Sequence, residues 1–122
     1  PDADPHSIAV TSGGIRLTYA ELEARVDRLA HGLAAHGVGP EVRVGIALER
    51  GIDMLVAVLA VSRAGGAYVP LDPAFPADRL RFMREDAGLS LVLTADNIAA
   101  VAQAHAPLQP AHPGNLAYVL YT

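Results

Sequence analysis

Apolar residues in the first third of the chain recur at the spacing of an amphipathic helix. Thr18 precedes this stripe, and Glu21 three residues later completes the pattern of a capping box, so a helix is predicted to begin at Thr18. Gly37 is predicted to end the helix, because glycine readily adopts the left-handed conformation that follows a last turn. Arg25 lies one turn after Glu21 on the polar side, in the order that favours an ion pair. The apolar stripe consists of Leu22, Val26, Leu29 and Leu33.

Later segments alternate between strand and helix patterns. Short apolar runs bounded by glycine and proline predict strands, and helical spacing between them predicts further helices. The predicted strands are 8–10 and 15–17, joined as a hairpin by the turn 12–14, then 42–48, a short extended piece at 67–70, 89–94 and 116–122. The further predicted helices are 54–63, a segment that begins with Pro76 as its first helical residue and ends before Gly88, and a short helix up to 104 capped by Asp96 or Asn97.

The predicted helix 54–63 is apolar almost all round. Such a helix is expected to pack on two sides rather than to present one face to solvent. One face is assigned to Leu55, Val58, Leu59 and Ser62, and Val56 and Val61 widen it.

The order of these elements predicts the fold class. After the hairpin, strands and helices alternate, which implies right-handed crossovers between parallel strands. The expected fold is therefore α/β, a mostly parallel sheet with packed helices. In such sheets the chemistry lies beyond the carboxyl ends of the strands, and the chain ends at an apolar strand where such a loop would begin.

Composition and charge exclude several classes. The 122 residues are 52% hydrophobic and 18% charged, enough apolar material for a buried core. The net charge is −4 and no basic run occurs, which argues against a nucleic-acid partner. The chain has no cysteine, no apolar stretch near the ~20 residues of a membrane span, and no signal-peptide pattern at its first residues. No membrane partner and a cytoplasmic location are therefore expected.

General catalytic and metal-binding motifs are absent from the sequence. It contains no GxGxxG, Walker, HExxH or GxSxG pattern. His31 and His36 are five residues apart, not the three or four that would stack them on a helix, so the histidines are expected to be solvated surface residues. The acidic residues are scattered, and no pair is placed as a general acid and base.

Three stretches carry a specific resemblance. Residues 17–22 read Leu-Thr-Tyr-Ala-Glu-Leu, residues 63–72 read Arg-Ala-Gly-Gly-Ala-Tyr-Val-Pro-Leu-Asp, and residues 116–122 read Leu-Ala-Tyr-Val-Leu-Tyr-Thr. In this order they resemble the first two signatures of the amino-acid adenylation domains of nonribosomal peptide synthetases and the run-up to the third, a glycine-rich phosphate loop. The resemblance covers essentially the whole chain. Small departures are Arg63, where Lys is commoner, and Ser62, where Leu is usual.

The resemblance implies that residues 1–122 are a partial adenylation domain, the N-terminal part of the large subdomain of an adenylate-forming enzyme. The parent would use ATP and magnesium to convert an amino-acid substrate into an aminoacyl adenylate. It would then load the acyl group onto the phosphopantetheine thiol of a carrier domain, among neighbouring synthetase domains.

Thr122 is the single candidate cofactor-binding residue, because it maps onto the phosphate loop as its first residue; the alternative is a strand-terminal threonine without a ligand. In the family, the magnesium carboxylate, the ribose-binding Asp, the amino-acid pocket and a catalytic Lys come later, and this chain contains no Lys. No catalytic residue and no metal ligand is therefore assigned within it. The isolated chain is expected to be inactive and to need no cofactor, and the first two signatures are expected to serve as scaffold.

Other functions stay open at this point. An acyl-CoA or aryl-acid ligase shares the chemistry but uses other acids, although residues 66–72 favour the peptide-synthetase branch. A noncatalytic remnant could serve as a spacer or docking platform between synthetase domains. An exposed apolar surface would favour a cut domain over a remnant, since missing chain normally covers the sheet.

Overall fold

The computed structural model describes residues 6–108, and within them a hairpin is followed by alternating helices and strands. The strands are β1 Ile8–Ser12, β2 Ile15–Thr18, β3 Arg43–Ala47, β4 Ala67–Pro70 and β5 Leu89–Thr94. The helices are α1 Tyr19–Ala35, α2 Ile52–Arg63, α3 Ala77–Asp86 and α4 Ile98–Gln103.

The last three strands form a parallel sheet in the order β4-β3-β5, and the antiparallel hairpin β1-β2 stands apart from it. The central strand is buried almost throughout, with Val44 and Ile46 in a core shared with α1, α2 and α4. On the opposite face Ala47 lies in a second core with Met83 of α3. The α/β fold with a parallel sheet and packed helices is thus confirmed, with helices on both faces.

Helix α1 begins and ends as the sequence predicts. The Thr18 hydroxyl accepts a hydrogen bond from the Glu21 backbone N–H at 3.1 Å, and the Glu21 carboxylate accepts one from the Thr18 N–H at 2.8 Å. At the other end Gly37 has φ 86°, and the Val38 N–H donates to the Leu33 carbonyl at 3.0 Å. Leu33 and two other members of the predicted apolar stripe are buried, and the fourth is half-buried: Val26, Leu29 and Leu22, respectively.

Helix α2 packs on two sides, against α1 and against the sheet, but the face assigned from the sequence points the wrong way. Leu59 is 39% exposed and Ser62 is also exposed. Small side chains occupy the inner face, because Ala57 and Ala60 let the helix approach its neighbours closely. The buried residues are Ile52, Val56, Ala57, Ala60 and Val61.

The starts of α3 and α4 differ in detail from the prediction. Pro76 is the N-cap of α3, with an extended ψ of 156°, and not its first helical residue. Asn97 precedes α4 but makes no side-chain cap; its amide instead ties down the end of β5. The predicted strand 116–122, with Thr122 at its end, lies outside the described residues.

Candidate functional site

The carboxyl ends of β4, β3 and β5 meet at one edge of the parallel sheet, the edge where open α/β folds bind ligands. Two polar side chains of that edge, Asp72 and Asn97, are bonded to their own loops. The Asp72 carboxylate accepts the Ala74 N–H at 2.8 Å. The Asn97 amide accepts the Thr94 N–H at 2.8 Å and donates to the Val92 carbonyl at 2.7 Å. Both side chains therefore shape the edge.

The second signature joins α2 to β4. Its Gly65 has φ 89°, and Gly66 N–H donates to the Val61 carbonyl at 3.0 Å, which closes the helix. A Cβ atom at Gly66 would lie 2.9 Å from Val38 Cγ1 and 3.0 Å from the Val42 carbonyl oxygen, so a larger residue does not fit without a shift. The signature thus acts through the backbone, by turning a buried helix sharply into a strand.

Arg63, at the start of this signature, forms an ion pair with Glu23 of α1. Its second guanidinium nitrogen lies 3.2 Å from the other carboxylate oxygen, so the pair is bidentate. Glu23 is 64% exposed, and the pair therefore links α1 and α2 at the surface without a large share of the stability. Sequence reasoning missed this contact because the residues are 40 positions apart.

The histidines of α1 are not simply solvated. His31 is half-buried, its Nδ1 donates to the Ala106 carbonyl oxygen at 2.8 Å, and its ring stacks on His105 at 4.4 Å. His36 Nδ1 donates to the Gly32 carbonyl at 2.9 Å. The expectation of free surface histidines is wrong for these positions, since the polar ring atoms bind backbone carbonyls and His31 secures the segment after α4.

Residues 6–108 contain no group of three or more His, Cys, Asp or Glu side chains that could hold a metal ion. The described residues therefore do not build the magnesium site that the resemblance implies for the parent. Within the same residues no helix is both long enough and apolar enough to cross a membrane. Thr122, the one predicted cofactor-binding residue, lies outside the described residues and stays a prediction.

A groove that the sequence did not indicate runs between α1, α4 and the start of α2. Its central part has a volume of about 450 Å³ and is lined by Arg25, Arg28, Asp53 and apolar residues of α4. We call it the α1–α4 groove. The expected ion pair between Glu21 and Arg25 does not form, because the Glu21 carboxylate caps Thr18 instead. This leaves the Arg25 guanidinium at the groove.

Comparison with known proteins places this geometry in a class. The model of the AMP-binding enzyme family matches residues 1–122. One of the proteins that make up the linear gramicidin synthase of Brevibacillus parabrevis is 41% identical over 141 residues, covering 99% of this chain and 3% of that protein. One of those that make up the plipastatin synthase of Bacillus subtilis (strain 168) is 45% identical over 135 residues, covering 97% of this chain and 5% of that protein. The crystal structure of the nonribosomal peptide synthetase FmoA3 bound to α-methyl-L-serine-AMP matches with a TM-score of 0.83 at 34% identity, covering 97% of this chain and 15% of that one.

The chain belongs to the AMP-binding enzyme family. Its resemblance to the adenylation domains of nonribosomal peptide synthetases, and the fold expected from it, are confirmed over nearly the whole chain. These relatives do not favour the acyl-CoA or aryl-acid ligase, or the noncatalytic remnant. The chain spans only a few per cent of the length of the curated relatives, 3% and 5% for the two named.

Proposed function

We propose that this chain is the N-terminal scaffold of an adenylation domain whose parent activates an amino acid with ATP and magnesium. The observation that carries the proposal is the family match across residues 1–122, supported by the likeness to an AMP-bound synthetase at a TM-score of 0.83. The parent would release pyrophosphate and pass the acyl group to the phosphopantetheine thiol of a carrier domain. The carrier, the neighbouring synthetase domains and the cytoplasmic location are predictions of this proposal.

The physical task of the described residues is to position, not to react. In-line attack of a carboxylate on the α-phosphate needs alignment and charge neutralisation more than a protein nucleophile. The parallel sheet supplies a rigid edge, and the Gly65-Gly66 turn and the Asp72 loop fix where β4 meets that edge. Within residues 6–108 the polar groups of the two signatures are engaged in caps, turns and the Arg63–Glu23 ion pair.

The role of Thr122 is part of the same proposal. As the first residue of the phosphate loop, its hydroxyl would bind a phosphate oxygen of ATP, next to backbone N–H groups of the residues that follow. Amino-acid binding and magnesium coordination would come from later elements of the parent.

The test is amino-acid-dependent exchange of pyrophosphate into ATP. The polypeptide that carries this chain and its downstream continuation should catalyse exchange with at least one amino acid, whereas residues 1–122 alone should give none. In the longer polypeptide, Thr122→Ala should lower exchange, and the matched Thr122→Ser, which keeps the hydroxyl, should retain most of it.

Three results would contradict the proposal. Robust exchange by residues 1–122 alone would show that the nucleotide site is complete within the chain. Exchange that responds only to fatty or aryl acids would identify a ligase of another branch. No exchange with any acid by a folded longer polypeptide would favour a noncatalytic remnant.

A further inference from the structure

The α1–α4 groove extends well beyond its central part. Arg25 also lines a smaller hollow of about 260 Å³ beside the hairpin turn, together with Ile15 and Ile52. Arg28 also lines an open hollow of about 580 Å³ at the end of α4, next to His105. The shared arginines make the three hollows one continuous channel along α1. Its length suits an extended peptide or a short helix better than a small molecule.

The floor of the channel is apolar and built of small side chains. Ala99 is exposed in the first turn of α4, and Ile98 and Ala102 are only half-buried beside it. At the hairpin end Ile15 is 54% exposed, although it is a large apolar residue. Exposed apolar floor of this kind gains stability when an apolar segment covers it.

Charge at the rim selects the kind of segment. Arg25 and Arg28 are both exposed, lie one turn apart on α1, and have no hydrogen-bond or ion-pair partner in the part of the chain that the structure describes. Their nearest acidic neighbours on the helix are engaged, since Glu21 caps Thr18 and the Asp27 carboxylate lies 3.5 Å from His31. Asp53 is the one carboxylate among the described residues that line the channel, against two guanidinium groups.

We propose that the α1–α4 groove is a docking surface for an acidic, apolar peptide segment of another domain or protein. Its carboxylates would pair with Arg25 and Arg28, and its apolar side chains would cover Ile98 and Ala99. A second copy of this chain is disfavoured, because a two-fold contact through the groove would bring the arginines of both copies together. Residues 109–122 are disfavoured as occupant because they contain no Asp or Glu.

The test measures binding of a short fluorescein-labelled peptide rich in glutamate and leucine to the 122-residue chain, by fluorescence anisotropy. The same peptide with lysine in place of glutamate is the control for charge, and a leucine-free polyglutamate peptide is the control for the apolar part. The acidic apolar peptide should bind best, and its affinity should fall as salt is raised, because the pairing arginines are exposed.

Variants locate the site. Arg25→Glu combined with Arg28→Glu should weaken binding by about tenfold or more, whereas Arg81→Glu, on α3 across the sheet, should not. Ala99→Glu should weaken binding because it places a carboxylate on the floor, and the adjacent exposed Ala100→Glu should leave it unchanged. Circular dichroism of each variant checks that the fold is retained, and the Ala99/Ala100 pair decides if the double charge reversal unfolds the chain.

Four results would overturn the proposal. One is equal binding of the lysine peptide, and another is unchanged binding by the Ala99→Glu variant. A third is concentration-dependent self-association that the double charge reversal abolishes, which would make a second copy the occupant. The fourth is tighter peptide binding when Asp2→Asn and Asp4→Asn are combined, which would make the chain's own first residues the occupant.

Discussion

The two faces of the parallel sheet are built very differently. One face is covered by α1, α2 and α4 and contributes to a core of seventeen buried apolar residues among those the structure describes, whereas the other is covered by α3 and holds five. The central strand reflects this difference, since Val44 and Ile46 face the large core and Ala47 faces the small one. Gly45 leaves no room for a side chain, because a Cβ atom there would lie 2.9 Å from Leu89 Cδ1.

The difference separates stability from recognition. The large core fixes α1 against α2 and thereby sets the distance across which Arg63 reaches Glu23. Helix α3, by contrast, buries only Met83 and leaves Phe82 61% exposed. Free energy of unfolding should therefore depend mainly on the face that carries α1, and substitutions of equal size should cost less on the α3 face.

The largest expected effect tests this comparison directly. Leu33→Ala removes a side chain that is 0% exposed in the large core and should lower the free energy of unfolding by about 2–5 kcal/mol. Met83→Ala, at 8% exposure in the small core, should cost less, near the lower end of that range, because the thinly covered α3 face can close over the gap. Urea unfolding of both variants measures the difference. Equal losses, or a larger loss for Met83→Ala, would show that the two faces contribute alike.

Sequence patterns predicted most of the elements because each pattern had one clear period. The α1 stripe ends in Leu33, and its capping box and terminal glycine all agree, so its position follows from local rules. Helix α2 shows the limit of periodicity. Its apolar residues surround the axis, and the choice of inner face depends on Ala57 and Ala60 meeting α1 and the sheet closely, which no single-segment pattern records.

Less of the candidate site could be predicted than of the fold. Family signatures identified the class, but what they show in the structure is helix caps, turns and a strand junction. The α1–α4 groove depends on α4 packing against α1 about seventy residues away along the chain, a contact that only the folded chain creates. Arg25 could have been singled out only by noticing that Glu21 cannot both cap Thr18 and pair with it.

An intermediate effect sharpens the comparison within the large face. A Cβ atom at Gly32 would lie 1.9 Å from the Val101 carbonyl oxygen, so Gly32→Ala must push α4 away from α1. We expect a loss of unfolding free energy at the upper end of about 1–3 kcal/mol, despite the better helix propensity of alanine. Amide hydrogen exchange should also become faster in α4.

Gly37→Ala is the control for this substitution. Gly37 has φ 86°, and a Cβ atom added there would meet no other atom within 4 Å. Its replacement therefore costs backbone strain alone, about 1–2 kcal/mol, without a change of exchange in α4. If α4 exchanged equally fast in both variants, the close contact at Gly32 would not be what holds α4.

The smallest expected effect lies where the hairpin enters α1. Thr18→Ala removes the hydroxyl that accepts the Glu21 N–H and should lower the free energy of unfolding by about 0.5–2 kcal/mol, because one donor of the first turn is left without a protein partner. Thr18→Ser keeps the oxygen and should stay close to the parent chain, and urea midpoints distinguish the two. The loss should be smaller than that of Leu33→Ala, since a cap stabilises one helix end whereas Leu33 lies in the core shared by three helices. A Thr18→Ser variant as unstable as Thr18→Ala would show that the threonine methyl group, and not the capping oxygen, stabilises this helix end.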